Sequence, residues 1–126
     1  MKEAWEKIEK LNGESKDIEE RLQVVEQQIS ELSVFEQTLV GLNKNKNREI
    51  LANVGKGVYT KAEIKEDKFF VEIGGGILIR KSPAETEEIL KQQIHKLNEM
   101  KIQLSMKNEA LVVEMRSLLE KLEQPK

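Results

Sequence analysis

The sequence contains no cysteine, only two prolines and few aromatic residues, which make up 4% of its 126 positions. The lack of cysteine excludes disulfides, thiolate catalysis and zinc–thiolate sites. Charged residues reach 35% against 38% apolar residues, a balance typical of long exposed helices rather than of a globule with a large core. No apolar run approaches the roughly 18–20 residues of a membrane span.

The sequence also lacks the residue combinations of catalytic and metal centres. Its single histidine, His95, lies beside the predicted core position Ile94, and neither a Ser–His–Asp set nor a His-rich metal spacing occurs. We therefore predict that the protein is not an enzyme and holds neither a metal nor a cofactor. The first residues contain no continuous apolar segment of the kind found in signal peptides, so we expect a cytoplasmic protein.

A net charge of −2 provides no overall positive field, so we predict neither a nucleic-acid nor a membrane partner. A leucine-zipper DNA-binding protein is a poor alternative. Such a protein needs a basic helix running directly into the zipper, whereas Pro83 and the acidic residues Glu85, Glu87 and Glu88 precede the leucine repeat that begins at Leu90.

The first third of the chain has the apolar spacing of a coiled coil. Core positions recur in steps of three and four, which is the heptad pattern. They are Met1, Ala4, Ile8, Leu11, Ser15, Ile18, Leu22, Val25, Ile29 and Leu32. The next apolar residue, Phe35, comes one position early, which predicts a local stammer before Leu39 and Leu42. The asparagine-rich segment 43–48 then favours a turn.

The middle of the chain alternates apolar and polar residues with a period of two, which predicts four strands paired as two hairpins. The strands are Ile50–Val54, Val58–Ile64, Phe69–Ile73 and Ile77–Arg80. The triple glycine Gly74–Gly76 is followed by a strand rather than a helix, so it does not fit a phosphate-binding loop.

Two isolated hairpins are marginal in water and leave open edges. We therefore predict that they pair with strands of other subunits in a closed β assembly. The alternative is a sheet that folds back on its own helices. The predicted assembly residues are the apolar faces, Val58, Thr60, Ala62, Ile64, Phe69, Val71, Ile73, Ile77 and Ile79.

The last third begins with a helix-start signal and continues as a second heptad arm. Ser82 suits the N-cap, Pro83 the first helical position and Glu85 the capping box. Leucines then recur every seven residues, with a second set of core positions between them. The positions are Leu90, Leu97, Leu104, Leu111 and Leu118, with Ile94, Lys101, Asn108, Met115 and Leu122.

The two arms are predicted to pair antiparallel. If Leu42 lies near Leu90, then Asn108 faces Leu22 and Ile8 lies near Leu122. Trp5 and Leu119 fall beside the seam rather than in it. Such residues either form a binding surface or widen the core.

The order helix, two hairpins, helix resembles the alpha class of archaeal-type prefoldin over the whole chain. The resemblance is specific in two segments, VGKGVYTKAEI at Val54–Ile64 and VEIGGGILIRK at Val71–Lys81. Two hairpins point to the alpha class because beta-class subunits have one. A departure is Ala52-Asn53, where many alpha-class members carry Val-Pro.

The resemblance implies a fold, partners and a function. The fold is one domain over 1–126, with coiled-coil arms at 1–43 and 82–124 and hairpins at 49–81. Two alpha-class and four beta-class subunits would form a hexamer with a double β-barrel platform. It would hold non-native polypeptide without ATP and pass it to a group II chaperonin. The client-facing tip residues would be Met1, Trp5, Ile8, Leu118, Leu119 and Leu122. A coiled-coil scaffold without clients is the alternative that shares every helical feature.

Overall fold

We describe residues 2–44 and 48–123 of a computed structural model of the chain. The predicted core position Met1, the middle of the predicted turn at 45–47 and the end of the second arm lie outside the described residues. The elements are α1 (Lys2–Lys44), β1 (Glu49–Gly55), β2 (Val58–Glu63), β3 (Phe69–Gly74), β4 (Ile77–Lys81) and α2 (Pro83–Glu123). The four predicted strands are confirmed, each to within one residue at its ends.

The chain divides into two compact units, which are described separately. The helical unit comprises the described parts of residues 1–31 and 94–126, and the mixed unit comprises the described parts of 32–93. Neither helix, over its described residues, includes a stretch long and apolar enough to cross a membrane.

The helical unit is an antiparallel pair of helix segments whose core follows the predicted heptads. Leu11 and Ile18 of α1 and Leu111 of α2 form one buried cluster. Half-buried side chains pack against this cluster, namely Leu22, Leu104, Met115 and Leu118. The outward positions remain charged, so the packing of these seam residues holds the two segments together.

A polar layer interrupts this apolar seam. The buried Ser15 hydroxyl donates a hydrogen bond to the side-chain oxygen of Asn108 across the helix pair, at 2.5 Å. The prediction that Asn108 faces Leu22 is therefore wrong. The observed register differs from the predicted one by seven residues. Ile8 correspondingly comes level with Met115 rather than with Leu122.

The physical reason for this correction is that an apolar heptad seam repeats every seven residues. Shifting one helix by a heptad again places apolar residues opposite apolar residues. Only the polar positions distinguish the two registers. Facing Leu22, the Asn108 amide would be left without a partner in the core, whereas facing Ser15 it accepts a hydrogen bond.

The predicted stammer at Phe35 is also wrong. In the mixed unit, Leu32 and Glu36 are half-buried and Leu39 is buried. These positions are four and three residues apart, so the heptad spacing continues. Phe35 is 48% exposed and lies beside this seam. A half-buried glutamate can occupy the heptad position because its methylene groups pack on apolar surface while the carboxylate stays in water.

The two hairpins of the mixed unit have tight turns that require positive φ angles. In the β1–β2 turn, Lys56 and Gly57 have φ values of 49° and 76°. In the β3–β4 turn, Gly75 and Gly76 have φ values of 59° and 76°. Positive φ at both central residues is the two-residue turn that matches the right-handed twist of antiparallel strands. Glycine provides three of these four positions because it has no Cβ.

The N-terminus of α2 forms the predicted capping box. The Glu85 N–H donates to the Ser82 hydroxyl at 3.1 Å, and the Ser82 N–H donates to the Glu85 carboxylate at 3.1 Å. The backbone hydrogen bond from Ser82, and then its side-chain hydrogen bond, lower the pKa of the Glu85 carboxyl. The cap therefore fixes where α2 begins after β4.

Replacing the cap serine tests this arrangement. Ser82→Ala removes the hydroxyl that accepts from the Glu85 N–H and is expected to lower the free energy of unfolding by about 1 kcal/mol at neutral pH. It keeps the Ser82 N–H that donates to the Glu85 carboxylate, so the pKa of Glu85 should rise only part of the way toward its ordinary value. Because the folded-state pKa of Glu85 is depressed, only the contribution of the carboxylate is lost as the pH falls through the lowered value, and the rest of the cap's contribution persists at acidic pH. Urea denaturation at neutral and acidic pH measures the difference.

The exposed Ser105 of α2 provides the control. Ser105→Ala should leave the unfolding free energy nearly unchanged at both pH values. A loss in Ser82→Ala no larger than that in Ser105→Ala would contradict the proposed role of the Ser82 hydroxyl as the helix cap.

The polar layer makes a second prediction. Asn108→Ala leaves the buried Ser15 hydroxyl without its acceptor and is expected to lower the free energy of unfolding by about 1–3 kcal/mol. The same substitution at the exposed Asn98 of α2 should cost much less. Equal losses in the two variants would show that the Ser15–Asn108 contact contributes nothing.

Candidate binding surfaces

The first candidate surface lies where the beginning of α1 meets the end of α2 in the helical unit. We call it the tip patch, and its described members are Trp5, Ile8, Leu118, Leu119 and Leu122. The further predicted member, Met1, lies outside the described residues. Ile8, Leu118 and Leu122 are half-buried, whereas Trp5 is 53% and Leu119 is 38% exposed.

The register of the helix pair places Trp5 and Leu119 at about the same level along it. From the Ser15–Asn108 layer, moving ten residues toward the start of α1 and ten toward the end of α2 reaches Trp5 and Leu118. Leu118 packs against the buried cluster, so its neighbour Leu119 is turned toward the flank. Among its described members, the patch therefore consists of half-buried seam residues and the more exposed Trp5 and Leu119.

Charged residues border this patch. The Lys7 ammonium lies 3.4 Å from the Glu114 carboxylate, and both side chains are largely exposed. Exposed ion pairs of this kind contribute little to stability. Burying an apolar side chain against such a patch contributes about 1.5–3 kcal/mol before ordering costs.

A groove along the helical unit is a second surface, which sequence analysis missed. Its volume is about 970 Å³. Ile18, Val25 and Leu104 of the seam line it together with the exposed Val24 and Met100. Val24 and Met100 lie outside the heptad positions, so the periodicity argument assigned them no role.

The hairpins form the third surface, and each hairpin has apolar residues on both faces. The β1–β2 register pairs Ile50 with Ala62 and Leu51 with Lys61. Residues directly opposite one another share a face. The predicted assembly residues Thr60 and Ala62 therefore lie on the face of Ile50, which we call the inner face because Ile50 and Ala62 are half-buried.

The second hairpin has the same arrangement. The β3–β4 register pairs Val71 with Ile79 and Phe70 with Arg80. The predicted residues Phe69 and Val71 are half-buried on the inner face. Of the other predicted assembly residues, Ile64 is half-buried. The exposed ones are Val58, Thr60, Ile73, Ile77 and Ile79.

Sequence analysis missed the opposite faces, which we call the outer faces. They carry Leu51 and Tyr59 on the first hairpin and Phe70 and Leu78 on the second, all more than half exposed. Alternation predicted only one apolar face per strand, because lysine, arginine and glutamate share the second face with these residues. The exposed Leu51 and Phe70 are the signal that could have identified it.

Residues from both faces of β3 lie near the helices of their own unit. A groove of about 400 Å³ is lined by residues of β3 and of both helices. All three phenylalanines of the chain contribute to it, Phe35, Phe69 and Phe70. This arrangement matches, for β3 alone, the alternative in which a sheet folds back on its own helices.

The strand edges remain unpaired. Among residues 48–81, β1 pairs with β2 and β3 pairs with β4, and no third strand joins either sheet. Each strand therefore exposes one row of backbone N–H and C=O groups. Such edges are templates for pairing with another strand.

Two exposed ion pairs tie the segment between the hairpins to their bases. The Arg48 guanidinium pairs with the Asp67 carboxylate, and the Arg80 guanidinium pairs with the Glu66 carboxylate. Arg80 also lies over the Phe70 ring, 5.6 Å from its centroid. Among the described residues, no group of three or more His, Cys, Asp or Glu side chains has an arrangement that could hold a metal ion.

Comparison with known proteins adds a family assignment to this geometry. The family model described as prefoldin subunit matches residues 2–126. Three archaeal relatives are named prefoldin subunit alpha. That of Methanosphaera stadtmanae is 23% identical over 83 residues, which are 66% of this chain. That of Picrophilus torridus is 34% identical over 71 residues, or 54% of the chain. That of Thermofilum pendens is 43% identical over 54 residues, or 42% of the chain.

These matches span 60%, 51% and 42% of the lengths of the three relatives. Among solved structures, a chain of the filamentous PFD from Methanocaldococcus jannaschii, determined by cryo-electron microscopy, superposes with a TM-score of 0.81 at 18% identity. The superposition covers 92% of this chain and 98% of that one. It shows that the two share one fold of long helices and paired hairpins.

Proposed function

Because the chain belongs to the prefoldin family and is an archaeal alpha-type member of it, we propose that it captures unfolded polypeptides without ATP and delivers them to a group II chaperonin. The family is one of chaperone subunits rather than of enzymes. The proposed complex contains two of these chains and four beta-class subunits, and it acts in the cytoplasm.

The observation that carries this proposal is that each unit exposes apolar surface, the hairpins in the mixed unit and the tip patch in the helical unit. The hairpins expose apolar side chains on both faces and keep unpaired strand edges. These features support assembly, since isolated two-stranded hairpins are marginal in water. The tip patch exposes Trp5 and Leu119 beside the seam, which supports contact with apolar segments of another polypeptide.

The size of the tip patch supports capture by several subunits together. One patch offers two exposed side chains, so a single subunit would bind weakly. Joining several patches on one platform raises the avidity by effective concentration, without new contacts. Weak contacts of this kind allow release to a second chaperone without nucleotide hydrolysis.

A pair of substitutions tests the role of the tip patch. Trp5→Ser combined with Leu119→Ser removes the exposed apolar side chains and leaves the buried seam intact. Reconstituted with a beta-class subunit, this variant should need about tenfold more complex to keep guanidinium-unfolded lysozyme from aggregating on dilution, since about 1.4 kcal/mol corresponds to tenfold. Light scattering measures the aggregation, and native mass spectrometry measures assembly.

Val34→Ser combined with Val113→Ser is the matched control, because these valines are similarly exposed on the same two helices. The control should protect lysozyme as well as the wild-type complex does. If the tip variant also protects fully while remaining assembled, the tip patch does not hold clients. A scaffold without clients would give no protection even in the wild-type complex.

A further inference from the structure

We propose that the outward side of α2 in the helical unit binds the same side of a second copy of this chain, with the two helices antiparallel. The contact surface is one exposed row of six residues, which we call the outward row. Its members are Glu99, Ile102, Met106, Glu109, Val113 and Arg116. This inference goes beyond the proposed function, because it uses neither the hairpins nor the tip patch.

The outward row lies on the side of α2 that faces away from the buried seam. Its members follow one another in steps of three and four residues, so they form one line along the helix. Each member comes one residue after or two residues before one of the seam positions Lys101, Asn108 and Met115. These two heptad positions point away from the partner helix, and all six side chains are exposed.

Three members of the row are apolar. Ile102 is 59%, Met106 is 65% and Val113 is 56% exposed. Single exposed apolar residues are common on helices, but three in one row form an unpartnered stripe. The corresponding row of α1, from Glu9 to Ser30, contains only charged residues, glutamine, serine and one glycine. The stripe is therefore specific to α2, and packing within the helix pair does not account for it.

The spacing of the row reads the same in both directions, which identifies a second copy as the occupant. A second α2 turned end over end about a point between Met106 and Glu109 brings every member level with another member. Ile102 then faces the Val113 of the other copy, and Val113 faces its Ile102. Such a contact, in which two positions meet twice, is the closed two-fold arrangement of most homodimers.

The charges at the two ends of the row fit the same alignment. Glu99 faces the Arg116 of the other copy, so the contact forms two ion pairs around the apolar centre. One turn further out, the exposed His95 and Glu120 face each other in the same way. A parallel alignment would instead place each of these charges opposite its own copy, and like charges disfavour a contact.

The charges also select one antiparallel register. Shifting the two helices by seven residues keeps the heptad spacing, as it does in the seam. A shift in one direction places Glu99 opposite Glu109, and a shift in the other places it opposite Glu123. Both shifts therefore replace an ion pair by two like charges, and only the register with Arg116 opposite Glu99 is complementary.

Two features keep this contact weak and reversible. Glu109 faces Met106 and can lay its methylene groups on it, but the two Glu109 carboxylates lie on either side of the two-fold axis and repel each other. The Glu99 carboxylate also lies 3.0 Å from the imidazole of His95 in its own chain. That exposed contact contributes little, so Glu99 can exchange His95 for the Arg116 of the second copy.

Exchanging the two charges tests the contact. Glu99→Arg and Arg116→Glu each convert both ion pairs into like-charge pairs, whereas the double variant restores opposite charges with the signs exchanged. Each single variant should weaken self-association at least tenfold, and the double variant should regain the wild-type affinity. Sedimentation velocity over a series of concentrations measures this on the full chain, without a beta-class subunit, and circular dichroism checks the fold.

Introduced cysteines test the register, since the chain has none of its own. Ile102→Cys and Val113→Cys are purified separately, mixed and oxidised with glutathione. The mixture should form disulfide-linked dimers containing one chain of each variant. Each variant alone should not, because the two copies of its cysteine lie about 16 Å apart along the axis at 1.5 Å per residue, whereas a disulfide needs Cα atoms within about 7 Å.

A matched pair of lysine substitutions provides the control for the apolar stripe. Val113→Lys should weaken self-association at least tenfold. Val24→Lys makes the same change on α1 at a valine that is 55% exposed, and it should leave the affinity unchanged. Equal losses in the two variants would show that the outward row is not the contact.

Several other results would overturn the proposal. A wild-type chain whose mass does not rise with concentration has no such contact. Self-association that is equal in the wild type and in every variant would assign it to the hairpins. Disulfides in Ile102→Cys alone would show a parallel contact, and failed rescue in the double variant would show that Glu99 and Arg116 do not pair. Failure of the proposed function would appear instead as lost lysozyme protection, which none of these measurements uses.

Discussion

Two-stranded sheets with apolar side chains on both faces are incomplete structures, and this incompleteness determines most of what the protein can do. A strand in such a sheet keeps one unpaired edge, and a single layer cannot bury both of its faces. Here β3 lines a groove with helices of its own unit, while apolar residues on both faces of the hairpins, such as Ile77 and Leu78, remain exposed. The remaining apolar surface requires strands from outside the chain.

The helical unit, by contrast, buries its core residues within the chain itself. Leu11, Ile18 and Leu111 are buried without any partner chain. Among the described residues at its helix ends, the exposed large apolar side chains are Trp5 and Leu119. A patch of this size is too small for tight binding by one subunit, and joining several patches would raise the avidity. In the proposed function, the permanent contacts therefore belong to the hairpins and the transient ones to the helices.

Much of this architecture could be predicted from the sequence, because heptad spacing and strand alternation are local patterns. The capping residues Ser82 and Glu85 and the four strands are examples. The coiled-coil register could not be predicted in the same way, since an apolar seam fits equally well when shifted by seven residues. Only the pairing of the two polar residues Ser15 and Asn108 with each other would have identified the correct register.

The candidate surfaces were predictable to a lesser degree. Trp5 and Leu119 stood out because they are bulky and lie outside the seam. Val24 and Met100 did not, because exposed apolar residues are common on helices and only the structure shows that they line one groove. Leu51 and Phe70 were assigned to no surface, because the alternation of apolar and polar residues predicts one apolar face per strand.

The central claim, that the hairpins are completed by other subunits, is tested most directly by hydrogen exchange of the backbone amides in β1–β4. The chain is compared alone, at dilutions where it is monomeric, and in complex with a beta-class subunit. The account predicts that amides at the unpaired edges exchange rapidly in the monomer and become at least 100-fold slower in the complex, while amides in the helical core change little. Equal exchange in both states would show that the hairpins need no partner, and it would contradict the account.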